Sequence, residues 1–151
     1  MGFDGTTQAV DSPWIEANYI PGFALNIADP REKFVRDLCN SMFDYARDNY
    51  PEFKLFFSLD LWAEGNAIGR KPDLSLYHDI LQDFKGLPAY LKGPNGKSFI
   101  STYSSGGLHN DDWANFRNDW GGELYFVPEF GDTAGYNTSS IGEISLPIYT
   151  V

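Results

Sequence analysis

The chain has 151 residues, which suits a single domain, and 42% of them are hydrophobic, enough to build a core of ordinary density. Its 11 basic and 21 acidic side chains give a formal net charge of −10, so a nucleic-acid backbone or an anionic membrane surface would repel it. The composition therefore predicts a folded acidic domain and argues against nucleic-acid and membrane partners.

The first predicted elements are a strand at residues 23–27, FALNI, and a long helix within residues 29–48. Asp29 is predicted to cap this helix, because Pro30 follows it at the favoured first helical position. Cys39 lies in an apolar stripe of the helix and has no basic neighbour at reactive spacing, so we expect a buried, inert thiol. The apolar residues at helical spacing are Phe34, Val35, Leu38, Cys39, Met42, Phe43 and Ala46.

The next apolar run, KLFFSLD at residues 54–60, indicates a strand buried on both faces, and it ends on Asp60 with Trp62 close behind. We recognise no helix start before the amphipathic segment at residues 73–84. Asp60 is therefore interpreted as a rim residue at the carboxyl end of a strand. A helix cap or a turn residue is the alternative interpretation.

The rest of the chain repeats the pattern of strand and helix. A turn at residues 93–96 separates two predicted strands, the second of them at 98–103. A short helix at 110–119, with Asn110 as its cap, leads to a last strand within 123–130. The two histidines are expected to be solvated or capping residues, because no third ligand shows metal-site spacing.

The alternation of strands and helices predicts the fold class α/β, with parallel strands joined by right-handed crossovers. The spacing between strands fits a partial (β/α)₈ TIM-type barrel of about four βα units. In such barrels the carboxyl ends of the strands share one rim, where the site is built. The candidate rim residues are Asn26, Asp29, Asp60, Trp62, Thr102, Tyr103 and Glu129.

Four blocks of sequence carry a resemblance to a known family. They read GFALNI, then FKLFFSLD, then AYLKGPNGKSFISTYSSGGL with Trp113 following, then LYFVPEFGDTAGY. In this order they resemble the N-terminal half of glycoside hydrolase family 71, the fungal α-1,3-glucanases or mutanases. The resemblance covers residues 21–136.

The resemblance implies a (β/α)₈ catalytic domain that hydrolyses α-1,3-glucan of fungal cell walls with inversion. One carboxyl group protonates the leaving oxygen and a second activates water, so the family implies no metal and no organic cofactor. It implies a polysaccharide partner and an extracellular or cell-wall location. The chain as written shows no signal peptide at its start, MGFDGTTQAV.

The chain also departs from the family pattern. Residues 1–20 form a divergent N-terminal segment, and residues 137–151 a divergent C-terminal tail. The family's acid and base are expected on a later strand-end motif that this sequence does not contain. We therefore expect a truncated and catalytically impaired copy of the enzyme.

Two functions remain open at this point. If the chain hydrolyses glucan, Asp60 and Glu129 are the candidate catalytic pair, since both are acids at strand ends. Asn26, Trp62 and Tyr103 are then the candidate substrate-binding residues. The alternative is a non-catalytic glucan-binding or cell-wall interaction protein.

Overall fold

A computed structural model of the protein describes residues 22–68, 71–104 and 106–128. The elements are β1 (Gly22–Ile27), α1 (Lys33–Asn49), β2 (Lys54–Asp60), α2 (Leu61–Ile68), α3 (His78–Phe84), β3 (Ser98–Tyr103), α4 (Asn110–Asp119) and β4 (Leu124–Val127), with 3₁₀ turns at Leu74–Tyr77 and Pro94–Gly96.

The four strands form one sheet in the order β1-β2-β3-β4. Each neighbouring pair is parallel, and the register places Asn26 beside Ser58 and Asp60 beside Tyr103. This arrangement confirms the predicted α/β class and the parallel strands of a partial barrel-like unit. Within the described part of the chain the sheet does not close.

The two faces of the sheet differ in burial. Along β2, Leu55, Phe57 and Leu59 are fully buried, whereas Phe56 and Ser58 are only half-buried. The expectation that this strand is buried on both faces is wrong, because the helices of the described residues pack on one side only. We call the less buried side the open face. By register it carries Ala24, Asn26, Phe56, Ser58, Asp60, Phe99, Ser101, Tyr103, Tyr125 and Val127.

Aromatic side chains hold the helices against the other face of the sheet, which we call the covered face. The Phe57 ring lies 5.9 Å from Phe43 of α1, 5.4 Å from Phe84 of α3 and 5.7 Å from Tyr90, measured between ring centroids. The backbone N–H of Phe57 also donates to the Tyr90 hydroxyl, at 3.4 Å. Buried aromatic contacts of this kind contribute both area and pairing energy. They therefore fix α1 and α3 against the middle of β2.

Helix α1 begins later than the sequence indicated. Its first helical residue is Lys33, and Glu32 occupies the N-cap position. The prediction that Asp29 caps this helix is wrong, because the Asp29 carboxylate accepts the backbone N–H of Arg31 at 2.9 Å instead. Such an aspartate turn satisfies the nearest N–H before the helix starts.

The apolar residues of α1 form two series at helical spacing, Phe34, Leu38 and Met42, and beside them Val35, Cys39, Phe43 and Ala46. The second series supplies all the buried residues of the helix. Cys39, Phe43 and Ala46 are buried, whereas Phe34 and Leu38 are 67% and 56% exposed. Burial raises the pKa of the Cys39 thiol to about 11. The expectation of a buried thiol is confirmed, and at neutral pH this cysteine carries a proton and is a poor nucleophile.

The third βα unit differs from its prediction in two details. Helix α4 spans the predicted residues, but its N-cap is His109 and not Asn110, and the His109 N–H donates to the Asp112 carboxylate at 2.7 Å. The segment before the predicted turn forms no strand of its own. It makes two isolated bridges, a parallel one between Tyr90 and Leu55 and an antiparallel one between Lys92 and Ser98.

The difference between the two faces of β2 makes a stability prediction. Phe57→Ala should lower the free energy of unfolding by about 3–5 kcal/mol, because it opens a cavity in the aromatic cluster. Its neighbour on the open face provides a matched control, and Phe56→Ala should cost only about 1–2 kcal/mol. Urea unfolding followed by circular dichroism measures both. Equal losses would contradict the one-sided core.

Candidate functional site

A row of polar side chains crosses the open face near the carboxyl ends of the strands. Asn26, Ser58 and Ser101 are neighbours in register on β1, β2 and β3, and Asp60 and Tyr103 are neighbours one step closer to the strand ends. The two serines were not among the residues predicted from the sequence. Ser58 lies two residues before Asp60, and Ser101 lies two residues before Tyr103. The two-residue period of side chains along a strand therefore predicts that each serine shares a face with its rim residue.

The Asp60 carboxylate is held at both oxygens. Its Oδ2 accepts a hydrogen bond from the Asn26 amide at 2.8 Å, and its Oδ1 accepts the backbone N–H of Ala63 at 2.9 Å. The second bond caps α2, which begins at Leu61 directly after the strand. The expectation that no helix starts before residue 73 is wrong. Asp60 is therefore a rim residue and a helix cap together.

One exposed ring neighbours Asp60 across the sheet, and a second follows it in the chain. Tyr103 is the register neighbour of Asp60 and is 54% exposed, and Trp62, in the first turn of α2, is 61% exposed. Aromatic rings with free surface can pack against the apolar faces of a ligand while their polar atoms bond to it. The structure thus brings Asn26, Asp60 and Tyr103 together and places Trp62 two residues beyond. The prediction of Thr102 as a rim residue is wrong, because its side chain is buried on the covered face beside Leu59.

The loop after β1 carries an ion pair. The Arg31 guanidinium donates to Asp29 from Nε at 2.8 Å and from Nη2 at 2.7 Å. These hydrogen bonds from the Arg31 side chain hold the pKa of Asp29 below its ordinary value. Asp29 is therefore an acid of the rim whose negative charge is balanced by Arg31 of the same loop.

Helix α2 also buries an acid that the sequence analysis did not single out. Glu64 is only 3% exposed, and neither of its carboxylate oxygens has a hydrogen-bond partner among the described residues. Buried acids are ordinarily paired or hydrogen-bonded, because leaving them without a partner costs free energy. No pattern in the sequence signals this residue, since its burial depends on the loops that pack around α2.

Tyr77 lies beside this acid in the same layer. Its hydroxyl donates to the backbone carbonyl of Ala28 at 2.7 Å and so ties the loop after β1 to the 3₁₀ turn. Burial raises the pKa of Tyr77 above its ordinary value, and the negative charges of Glu64 and Asp60 raise it further. The hydroxyl therefore stays protonated and keeps its role as a donor.

Glu129, the proposed partner of Asp60, lies outside the described residues, so this pairing stays a prediction. His78 and His109 are exposed, and His109 caps α4, as expected from the sequence.

Residues 22–68, 71–104 and 106–128 contain no group of three acidic, histidine or cysteine side chains that could hold a metal ion. The helices of this part of the chain are all too short or too polar to cross a membrane.

Comparison with known proteins identifies one family. The model of glycosyl hydrolase family 71 matches residues 8–145 of this chain. No curated protein sequence and no solved structure shows a significant match. The matched region contains every residue of the rim described above.

The buried carboxylate of Glu64 makes a second prediction. Glu64→Met should raise the free energy of unfolding by about 1–3 kcal/mol, because it keeps the side-chain volume and removes two buried oxygens that accept no hydrogen bond from the described residues. The exposed Glu52 provides a matched control, and Glu52→Met should change stability by less than about 0.5 kcal/mol. Urea unfolding midpoints compare the variants. A loss of stability in Glu64→Met would show that the carboxylate has a partner in solution.

Proposed function

The chain belongs to glycosyl hydrolase family 71, and from that premise we propose that it binds and hydrolyses α-1,3-glucan at the carboxyl rim of its parallel sheet. The observation that carries the proposal is the position of Asp60, between Asn26 on one neighbouring strand and Tyr103 on the other. Family membership supports a glycoside hydrolase with a polysaccharide substrate. The α-1,3 linkage is our own inference from the resemblance of the four sequence blocks.

The chemistry of the rim suits a sugar. An ionised carboxylate offers about four acceptor positions, so Asp60 can accept sugar hydroxyls beside the two bonds it already makes. The open face adds the hydroxyls of Ser58 and Ser101. The exposed rings of Trp62 and Tyr103 offer apolar surface to the C–H faces of a glucosyl unit.

Hydrolysis with inversion requires two carboxyl groups with different tasks. Both oxygens of Asp60 already accept hydrogen bonds from N–H donors. We therefore assign this carboxylate as the group that accepts a proton from the attacking water. The other task, protonation of the leaving oxygen, needs a second acid. The resemblance places the family's own acid on a different motif, so we propose Glu129 for this task as the acid that follows β4 in this sequence.

Binding of glucan without hydrolysis is the second candidate. The observation that favours it is the state of the other acids near Asp60 in the described residues. Glu64 is buried, and the charge of Asp29 is balanced by Arg31. Neither is free to donate a proton to a sugar on the open face, so a rim that relied on them would bind glucan only.

A paired assay on insoluble α-1,3-glucan tests the proposal by measuring retention of the protein and release of reducing sugar. Asp60→Asn should lower release by about 10²–10⁴-fold, because it removes the group that activates water. Asparagine is also a good helix cap, so α2 should persist. Trp62→Ala should weaken retention, whereas Phe34→Ala, which removes an exposed ring from α1, should not.

Each outcome distinguishes the candidates. Release by the unmodified protein that Asp60→Asn abolishes supports hydrolysis at this rim. Retention that Trp62→Ala weakens, without release from the unmodified protein, supports glucan binding alone. Absence of both retention and release would contradict both candidates.

A further inference from the structure

A cleft of about 430 Å³ lies in the helix layer, between residues 71–78 and helix α4. Phe116 of α4 lines it and packs against Phe126 of β4, at 5.6 Å between ring centroids. Phe126 is buried on the covered face of the sheet, so the cleft lies on the side opposite the open face. It is therefore separate from the rim around Asp60.

A close contact between two loops fixes one wall of the cleft. Gly106 has a φ of +57°, and a Cβ at this position would lie 2.4 Å from Cγ of Pro72 and 2.9 Å from Cβ of Leu61. Pro72 also lines the cleft. The approach of backbone and proline ring requires glycine here. Gly106 and Pro72 are thus packed together beside the cleft.

An aromatic pair forms the floor. The His78 imidazole stacks on the Trp120 indole with centroids 4.7 Å apart and planes at 22°. Trp120 is almost fully buried, and the Lys85 ammonium group lies 5.6 Å from its ring, so the indole is fixed in place. The His78 side chain is 53% exposed. This pair offers a flat surface with a rigid support.

The polar groups of the cleft are of two kinds. Asp112 and Asp73 are engaged in the fold, because Asp112 pairs with Lys71 and Asp73 accepts the backbone N–H of Ser75 at 2.9 Å. Asn115 and Asp119, by contrast, lie four residues apart on one face of α4, line the cleft and are exposed. Their side chains make no hydrogen bond within the part of the chain that the structure describes.

The chemistry of the cleft selects a class of ligand. Three aspartates outnumber the one lysine in its lining, so an anion would be repelled. The described residues hold no group of acids and histidines suited to a metal ion. A neutral molecule with many hydroxyls fits, because a carboxylate and an amide accept and donate hydrogen bonds above a flat ring. The volume is also within the usual range of small-ligand sites.

We propose that this cleft binds one glucosyl unit and forms a second carbohydrate site, with His78 as the ring platform and with Asn115 and Asp119 as the hydroxyl partners. The inference rests on the function proposed above, since it takes its ligand from the same glucan. Two sites on one chain raise the effective concentration of a polymer at each of them. The cleft would therefore hold the chain on its substrate while the rim acts.

The test is a titration of the whole chain with an α-1,3-linked glucose disaccharide, followed by amide chemical shifts in NMR spectra. Asn115→Ala and Asp119→Ala should each weaken the disaccharide affinity by about five- to tenfold, the value of one hydrogen bond. Asn118 is exposed on the same helix and does not line the cleft, so Asn118→Ala is the matched control and should bind as the unmodified chain does.

The result expected is a set of shifts around α4 that Asn115→Ala reduces and Asn118→Ala leaves in place. Equal affinities for these two variants, or no shift of α4 in the unmodified chain, would overturn the inference. Trp62→Ala separates this result from the function proposed for the rim. If Trp62→Ala weakens binding of the disaccharide and of glucan while Asn115→Ala does not, the rim proposal stands and the cleft proposal is overturned. If only Asn115→Ala weakens binding, the cleft proposal stands and the rim proposal is contradicted.

Discussion

The alternation of side chains along β2 is the constraint on which the rest of the structure depends. Because successive residues of a strand point to opposite faces, burying Leu55, Phe57 and Leu59 under the helices commits Ser58 and Asp60 to the other face. A shift of one residue in the register of this strand would exchange the two sets. The aromatic cluster around Phe57 therefore does more than stabilise the core, since it also decides that a carboxylate stands at the rim.

Asp60 links this constraint to chemistry, because one side chain serves the fold and the site together. Its bond to the N–H of Ala63 starts α2, and its bond to Asn26 joins the ends of two strands. A carboxylate held in this way is oriented before a ligand arrives, so no rotamer freedom is lost on binding. The helix that Asp60 caps also buries Glu64, whose carboxylate oxygens have no hydrogen-bond partner among the described residues.

Much of the fold followed from the sequence, because strands in parallel sheets appear as short apolar runs with turn residues at their ends. The runs at 54–60 and 98–103 became strands with those bounds, and the parallel order followed from the helices between them. Helix α2 was missed since it spans only two turns, contains Gly65 and shows little amphipathic period. Its start depends on the cap that Asp60 supplies, which a propensity argument does not include.

The sequence by itself determined the family, the parallel α/β class and the presence of polar residues at the ends of the strands. Tertiary structure decided which surfaces those residues share. Two apolar series on α1 had equal spacing, yet only the one with Phe43 supplies buried residues, while Phe34 faces outward. Asn115 and His78, 37 positions apart in sequence, line one cleft only because His78 stacks on Trp120, the residue that follows α4. The periodicity of a sequence predicts which residues share one face of a helix or strand. Which face is buried, and against which other element, depends on contacts between residues that are distant in the chain.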